Sequence, residues 1–205
     1  NNKKEQQAKN TKLGETVLLY IHDLAYLIAV MMIVFLFIFR VVVVSGESMN
    51  NTLLDGDYLL LLSNVFYKDP QQGDIIVAAK DSFKNGEPII KRVIATEGQT
   101  VNIDFTTGDV YVDGACLQEN YILEKIMYDS GEFTLDYPVT VPEGHIFVLG
   151  DNRNNSADSR LSYIGMIDED CVLGKAVAIA LPGEIRDSLG NIVSPRDWGR
   201  IGLVS

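Results

Sequence analysis

The sequence has few of the residues that build metal and redox centres, with two cysteines and two histidines among 205 residues. Cys116 and Cys171 match no zinc or redox spacing such as C-x-x-C. Whether they form a disulfide outside the cytoplasm stays open, because the sequence does not show how closely their backbones approach. We expect no metal and no other cofactor.

Positive charge is also scarce. Seventeen lysines and arginines stand against 28 aspartates and glutamates, which gives a formal net charge of -11 at pH 7. A partner with a phosphate backbone requires a clustered basic surface, so we expect no nucleic-acid partner. Apolar residues make up 47% of the chain, enough at this length for one sizeable core and a small satellite domain.

Charge is missing altogether from Leu24 to Phe39, and apolar residues extend this run on both sides. The run predicts a transmembrane helix over residues 17–40. A buried core helix is a poorer interpretation, because no polar stripe interrupts the run. A cleaved signal peptide is also a poorer one, because the run is too long and no small-x-small cleavage site follows it.

The charges beside the helix predict its direction. Four lysines lie in the short segment 1–16, which the positive-inside rule places in the cytoplasm. Residues 41–205 then lie outside, and Arg40 can extend its guanidinium to the lipid head groups. The expected location is the cell membrane, with a single span.

The rest of the chain alternates short β-branched or aliphatic runs with turn signals such as Asp55-Gly56 and Asp113-Gly114. Without helical patterns between them, these runs predict a mainly β outer domain. Residues 102–138 contain paired hairpin signals and read as a small β insertion. The predicted strands are Val41–Val44, Tyr58–Leu62, Asp74–Ala79, Ile89–Ala95, Thr100–Phe105, Val110–Val112, Thr134–Val139, His145–Leu149 and Cys171–Leu181.

Three polar features are spread along this β domain: the segment SGESMNNTL around Ser48, Lys91 within an apolar strand, and the loop GDNRNNSADSR that begins at Gly150. Peptide hydrolysis without a metal requires a nucleophile, a proton acceptor and oxyanion donors. In an alternating strand, Lys91 shares its face with Ile89 and Val93, and an apolar setting lowers the pKa of a lysine. Lys91 could therefore act as a base toward a serine.

Each feature also has a simpler interpretation. A serine in a Gly-Glu-Ser turn is more often a turn former or a helix cap, and a lysine on a strand usually extends its ammonium into water. The third loop could be a solvated turn or a calcium site. The EF-hand pattern is excluded, because Arg153 and Ser156 occupy positions that should be Asp or Asn and Gly.

In order along the chain, the apolar helix, SGESMNNTL, DGDYLLL, KRVIATEGQTV, VPEGHIFVLG and GDNRNNSADSR resemble the successive sequence boxes of type I signal peptidases. The likeness is greatest to the short, single-span form of Gram-positive bacteria and covers nearly the whole chain. It implies an extracytoplasmic all-β catalytic domain and a membrane-bound serine endopeptidase.

The resemblance also implies roles for individual residues. Ser48 takes the place of the nucleophile, Lys91 that of the general base, and Ser156 that of the serine that orients the lysine. The supporting positions implied by the last box are Gly150, Asp151, Asp158 and Arg160.

The resemblance implies that the substrates are preproteins with N-terminal signal peptides, cut outside the membrane after small residues at the first and third positions before the bond. The lipid bilayer and the Sec translocation machinery are the other implied partners. Two departures are visible. Asn51 stands where the family usually has proline, and Gly46 stands where some members place an oxyanion-donating serine.

Other functions fit the residues less well. A catalytically weak homologue that assists the assembly of surface proteins would lack Ser48 or Lys91, and both are present. The self-cleaving repressors share the serine-lysine pair, but they have no membrane helix and need a DNA-binding segment. A histidine mechanism would use His145 with Asp151 as its orienting carboxylate, and would require the chain to bring the two together.

Overall fold

The computed structural model describes residues 2–79, 86–128, 135–186 and 192–204. The chain divides into two compact units, residues 1–39 and 40–205. The first unit is a helix, α1 (Asn2–Ile38). Within the described residues, its segment Glu15–Ile38 is the one helix long and apolar enough to cross a membrane, with a mean hydropathy of 2.4.

The bounds of α1 differ from the predicted span. The helix is continuous across residue 17 and ends at Ile38, while Arg40 is an exposed residue of the first strand. Val41 and Val42, predicted as strand, follow Arg40 in that same strand. The β-branched run therefore begins its extended conformation two residues earlier than expected, because Arg40 and its neighbours pair with the sheet.

The second unit is mainly β, which confirms the predicted fold class. Its strands are β1 (Phe39–Val43), β2 (Tyr58–Ser63), β3 (Ile75–Ala78), β4 (Ile89–Ala95), β5 (Thr100–Asp104), β6 (Asp109–Val112), β7 (Ala115–Cys116), β8 (Val139–Thr140), β9 (His145–Leu149), β10 (Ile167–Asp168), β11 (Val172–Leu181), β12 (Ile185–Arg186), β13 (Ile192–Ser194) and β14 (Gly202–Leu203). Strands β12 and β13 pair as a separate two-stranded ribbon.

The main sheet has eight strands in the order β1-β2-β11-β3-β4-β9-β10, and β14 also pairs with β11. Strand β4 lies between β3 and β9, with Lys91 opposite Ile76 of β3 and Arg92 opposite Leu149 of β9. A strand flanked on both sides has its backbone fixed by two ladders of hydrogen bonds. Lys91 therefore projects from one of the most constrained parts of the fold.

Residues 100–140 contain the second sheet, in the order β7-β6-β5-β8. This is the region where the sequence predicted an insertion at 102–138. Its buried residues, such as Val101 and Val110, share one apolar core with Phe147 and Leu149 of β9. The second sheet therefore packs on the main sheet through the strand that leads into the polar loop at Gly150.

Several predicted strands differ in detail from those observed. The run Thr134–Val139 lies partly outside the described residues, and the strand there is β8 (Val139–Thr140). Five strands of two or three residues, β7, β10, β12, β13 and β14, were not predicted. Cys116 is exposed, Cys171 is half-buried, and both are free thiols.

Candidate active site

Ser48 lies in the long loop that joins β1 to β2, and buried neighbours hold it there. Met49 is 1% exposed, and Leu53, whose N–H donates to the Met49 carbonyl at 2.9 Å, is fully buried. The Asn50 N–H donates to the Glu47 carbonyl at 3.0 Å, which closes the turn around Ser48. The apolar anchors leave the half-buried serine at the surface of the core.

Lys91 is 4% exposed, and its Nζ donates to Ser48 Oγ at 2.7 Å and to the Ile90 carbonyl at 2.9 Å. The structure therefore brings the predicted nucleophile and the predicted base into direct contact across 43 residues of sequence. Strand β4 is buried on both faces, so this lysine does not extend its ammonium into water as exposed strand lysines do.

Asp151 is fully buried and connects three distant segments. Its carboxylate accepts two hydrogen bonds from the Arg92 guanidinium, at 2.9 and 2.8 Å, and one from the Thr52 hydroxyl at 2.5 Å. Arg92 follows Lys91 in β4, and Thr52 follows Ser48 in its loop. Asp151 thereby fixes the polar loop to both elements that carry the serine-lysine pair.

Asp158 and Arg160 brace the same loop from inside. The Asp158 carboxylate accepts from Arg160 Nε at 2.8 Å and Nη2 at 2.9 Å, and from the Gly150 N–H at 3.0 Å. Burial by itself lowers the pKa of Arg160, but the charge and hydrogen bonds of Asp158 raise that pKa above its usual value. The guanidinium therefore stays charged beside the Asp158 carboxylate.

Ser156 lies beside Ser48, and this close approach requires a residue without a side chain at position 150. A Cβ on Gly150 would overlap Ser156 Oγ and the Ser48 carbonyl oxygen, and the same carbonyl accepts from the Asn152 N–H at 3.1 Å. The Ser156 hydroxyl is buried and has no hydrogen-bond partner within the described ranges. The structure thus places Ser156 in the cluster, without a hydrogen bond to Lys91.

A groove of about 800 Å³ opens onto these side chains, and Ser48, Lys91 and Ser156 all line it. Other parts of its wall are apolar and come from β1, the start of β4 and the segment after Ala157. The Gly46 N–H donates to Asp55 at 2.8 Å, so the backbone at this position is already engaged. The groove presents a serine hydroxyl beside a buried amine.

The two residues of the alternative histidine mechanism have different partners. His145 Nδ1 lies 2.9 Å from the Glu143 carbonyl, and His145 opens β9 while Leu149 closes it beside the site. The Asp151 carboxylate is bonded to Arg92 and Thr52. The structure does not bring this pair together. Among the described residues, no group of three or more His, Cys, Asp or Glu side chains could hold a metal ion.

Sequence reasoning missed several residues of the network. The sequence indicated no role for Arg92, and Arg153 was considered only as a mismatch to the EF-hand pattern. Arg153 donates to both carboxylate oxygens of Glu119, and Arg92 lies 3.9 Å above the ring of Tyr121. The spacing of charges could not reveal these contacts, because Glu119 is 34 residues from Arg153.

Comparisons with known proteins identify the family that the sequence boxes resemble. Residues 17–181 match the family described as signal peptidase, peptidase S26. The chain is 38% identical over 155 residues to a probable signal peptidase I-1 of Synechocystis, covering 72% of this chain and 74% of that protein. It is 31% identical over 186 residues to a signal peptidase I of Bacillus licheniformis, covering 88% of this chain and 97% of that one.

A crystal structure of a signal peptidase I from Enterococcus faecalis is also similar, at 34% sequence identity and a TM-score of 0.41. The match covers 53% of this chain and 97% of that chain.

Proposed function

Since the chain belongs to the signal peptidase family, peptidase S26, and is a serine endopeptidase, we propose that it cleaves N-terminal signal peptides from preproteins, with Ser48 as nucleophile and Lys91 as general base. The observation that carries the proposal is the 2.7 Å hydrogen bond between Lys91 Nζ and Ser48 Oγ, made by a lysine that is 4% exposed. Burial in an apolar strand disfavours the ammonium and lowers the pKa of a lysine.

The chemistry begins with the neutral amine of Lys91. The amine accepts the proton of the Ser48 hydroxyl while Oγ attacks the carbonyl carbon of the scissile bond, which gives a tetrahedral oxyanion. The Lys91 ammonium then returns this proton to the leaving amine, and the peptide bond breaks to leave an acyl ester on Ser48. A water molecule, deprotonated by Lys91, hydrolyses the ester and restores the enzyme.

The oxyanion requires donors fixed before the reaction. The backbone N–H of Ser48 is the donor we propose, because the tight turn between Glu47 and Asn50 holds it rigidly. Gly46 has no side chain to add a second donor, and its N–H is bonded to Asp55. In this proposal, the Ser48 N–H is therefore the one backbone donor that this loop supplies to the oxyanion.

Ser156 is proposed to orient the lysine. Its hydroxyl is buried in the same groove and retains its full capacity to donate and accept, and a small rotation of a serine hydroxyl costs little. Gly150, Asp151, Asp158 and Arg160 are proposed as supporting residues that keep this loop against Ser48. Their buried, charge-assisted hydrogen bonds support that role.

The membrane helix places enzyme and substrate in one bilayer. We propose that the segment 1–16 is cytoplasmic and the β domain extracytoplasmic, as the lysine-rich N-terminal segment favours. A signal peptide held in the same bilayer is confined near the site, and confinement raises its effective concentration.

The apolar wall of the groove supports recognition of small residues at the first and third positions before the cut. The preprotein would be received from the Sec machinery.

The test is cleavage of a purified preprotein by the full chain in detergent, with the cut mapped by mass spectrometry. Ser48→Ala and Lys91→Ala should each lower kcat by about 10⁴-fold or more, and the double variant should be no worse, because the two groups act as one unit. Lys68→Ala and Ser194→Ala, which alter exposed or peripheral side chains, are matched controls and should keep wild-type rates. Substantial turnover by either active-site variant would overturn the mechanism.

A further inference from the structure

One segment that follows strand β7 of the second sheet returns to the polar loop that begins at Gly150. This segment, residues 117–128, which we call the strap, follows β7 and runs beside residues 151–154. The Leu123 N–H donates to the Asp151 carbonyl at 3.4 Å, and the Met127 N–H donates to Asn154 Oδ1 at 3.0 Å. Asn154 returns a hydrogen bond to the Lys125 carbonyl at 3.0 Å. The loop is therefore bonded to the strap along its length.

The most buried contact of the strap is an ion pair. Glu119 accepts from Arg153 Nη1 at 2.9 Å and Nη2 at 2.5 Å, and the two side chains are 7% and 0% exposed. Arginine does not give up its proton in proteins, so Arg153 brings a permanent positive charge into the interior. A buried guanidinium without a carboxylate is strongly unfavourable. Glu119 is therefore what fixes Arg153 in this position.

Arg153 also contacts Gly150, the residue against which Ser48 and Ser156 pack. Its Nε donates to the Gly150 carbonyl at 3.1 Å, and Gly150 is the residue packed against both Ser156 Oγ and the Ser48 carbonyl. From the other side, Arg160 Nη2 donates to the Arg153 carbonyl at 2.6 Å. Movement of the Arg153 side chain would thus shift the peptide against which both serines rest.

Tyr121 joins the same ion pair to the base strand. Its hydroxyl donates to Glu119 Oε1 at 3.0 Å, and its ring lies 3.9 Å from the Arg92 guanidinium. Burial, and next the charge of Glu119, raise the pKa of Tyr121 far above its usual value. The phenol therefore stays neutral and keeps donating to Glu119. The strap therefore contacts two buried arginines, Arg92 and Arg153.

We propose that Glu119 is a positioning residue for the peptidase reaction, acting through Arg153 to hold Gly150, and with it Ser156, against the Ser48 loop. The proposal rests on the proposed serine-lysine function. Glu119 and Arg153 are not among the residues that line the groove. Their loss should therefore lower kcat while leaving KM for a signal-peptide substrate near its wild-type value.

The experiment compares Glu119→Gln, Arg153→Lys and the double variant in the full chain, assayed well below the Tm of each protein. Each single variant should lower kcat by about 10- to 100-fold, the usual effect of misplacing reacting groups by a fraction of an ångström. The double variant should be no slower than Arg153→Lys, because both changes remove one pathway. Asp109→Asn is the matched control, since it removes a different ion pair of the strap, between Asp109 of the second sheet and the exposed side chain of Lys125, and the Asp109 carboxylate contacts no loop residue.

Wild-type kcat in folded Glu119→Gln, full additivity in the double variant, or an equal loss in Asp109→Asn would each overturn the positioning role. If Glu119→Gln does not fold, Arg153→Lys decides alone. It keeps a charge opposite Glu119 but loses the Nε donor to Gly150, so an unchanged kcat would again refute the proposal. Failure of the underlying function has a different signature, namely retained cleavage in Ser48→Ala or Lys91→Ala.

Discussion

Gly150→Ala tests the packing of the active site with one methyl group. The backbone of Gly150 does not have the positive φ that eleven other glycines have within the described part of the chain, so alanine meets no conformational barrier there. The obstacle is steric. The new Cβ would overlap Ser156 Oγ and the Ser48 carbonyl oxygen, and would lie 2.5 Å from Ser156 Cβ.

Rotation of Ser156 Oγ alone would not remove the overlap, because Ser156 Cβ and the Ser48 carbonyl oxygen, a backbone atom, are also too close. The Ser48 carbonyl is held by the Asn152 N–H, and the half-buried Ser156 belongs to the loop that Asp158 and Arg160 brace. Overpacking of this kind costs about 1–3 kcal/mol, which lowers the Tm of a chain of this size by roughly 2–4 °C per kcal/mol. Because the displaced groups are those proposed to react, we expect kcat to fall about 100-fold or more.

The assay measures kcat and KM on a signal-peptide substrate, together with thermal unfolding. Gly114→Ala is the control, because Gly114 has a φ of +80° and no heavy atom within 4 Å of a Cβ. That variant should lose about 1 kcal/mol of stability through backbone strain and keep its kcat. If Gly150→Ala is destabilised no more than Gly114→Ala and still cleaves at the wild-type rate, the proposed packing of Ser156 against Ser48 is wrong.

Two further predictions concern pH. If Lys91 is the base, kcat/KM should rise with pH through a lysine pKa lowered from about 10.4, and His145→Ala should keep this limb; a limb near the histidine value of about 6.5 that disappears in His145→Ala would contradict the lysine mechanism. Burial raises the pKa of Glu169, and the charge of Glu97 and other nearby carboxylates raises it further. A carboxyl whose pKa is raised in the folded chain destabilises the fold once it is ionised. Glu169→Gln should therefore raise Tm at neutral pH, and the gain should vanish near about pH 3.5, where folded and unfolded chains are both protonated; an undiminished gain at that pH would rule out this electrostatic origin.

The sequence predicted the strands that carry the site better than those at the edges. Ile89–Ala95 and His145–Leu149 were predicted with the bounds that the structure has, because long β-branched and apolar runs between turn signals have few other ways to pack. Strands such as β10 and β14 have two residues each. Two residues contain no periodicity, and their pairing is decided by neighbours that are distant in sequence.

Only those residues of the candidate site that lie in local sequence motifs could be predicted. Ser48, Lys91 and Ser156 stand in recognisable boxes, and the structure places all three around one groove. Glu119 belongs to no box, and nothing in its neighbourhood signals that its carboxylate is buried against Arg153. Ion pairs of this kind are set by how one sheet packs on another, which a single sequence does not specify.

The hydrogen bonds of Asp151 also make assembly of the candidate site depend on segments that are far apart in the sequence. Its partners lie 59 residues away at Arg92 and 99 residues away at Thr52, and Ser48 meets its base across 43 residues. Closing contacts so far apart in sequence is slow and requires most of the chain to be in place. In the proposed mechanism, a chain without these contacts has no amine held beside its serine and should not cleave peptide bonds. We therefore expect peptidase activity only after the segments that carry Thr52, Arg92 and Asp151 have folded together.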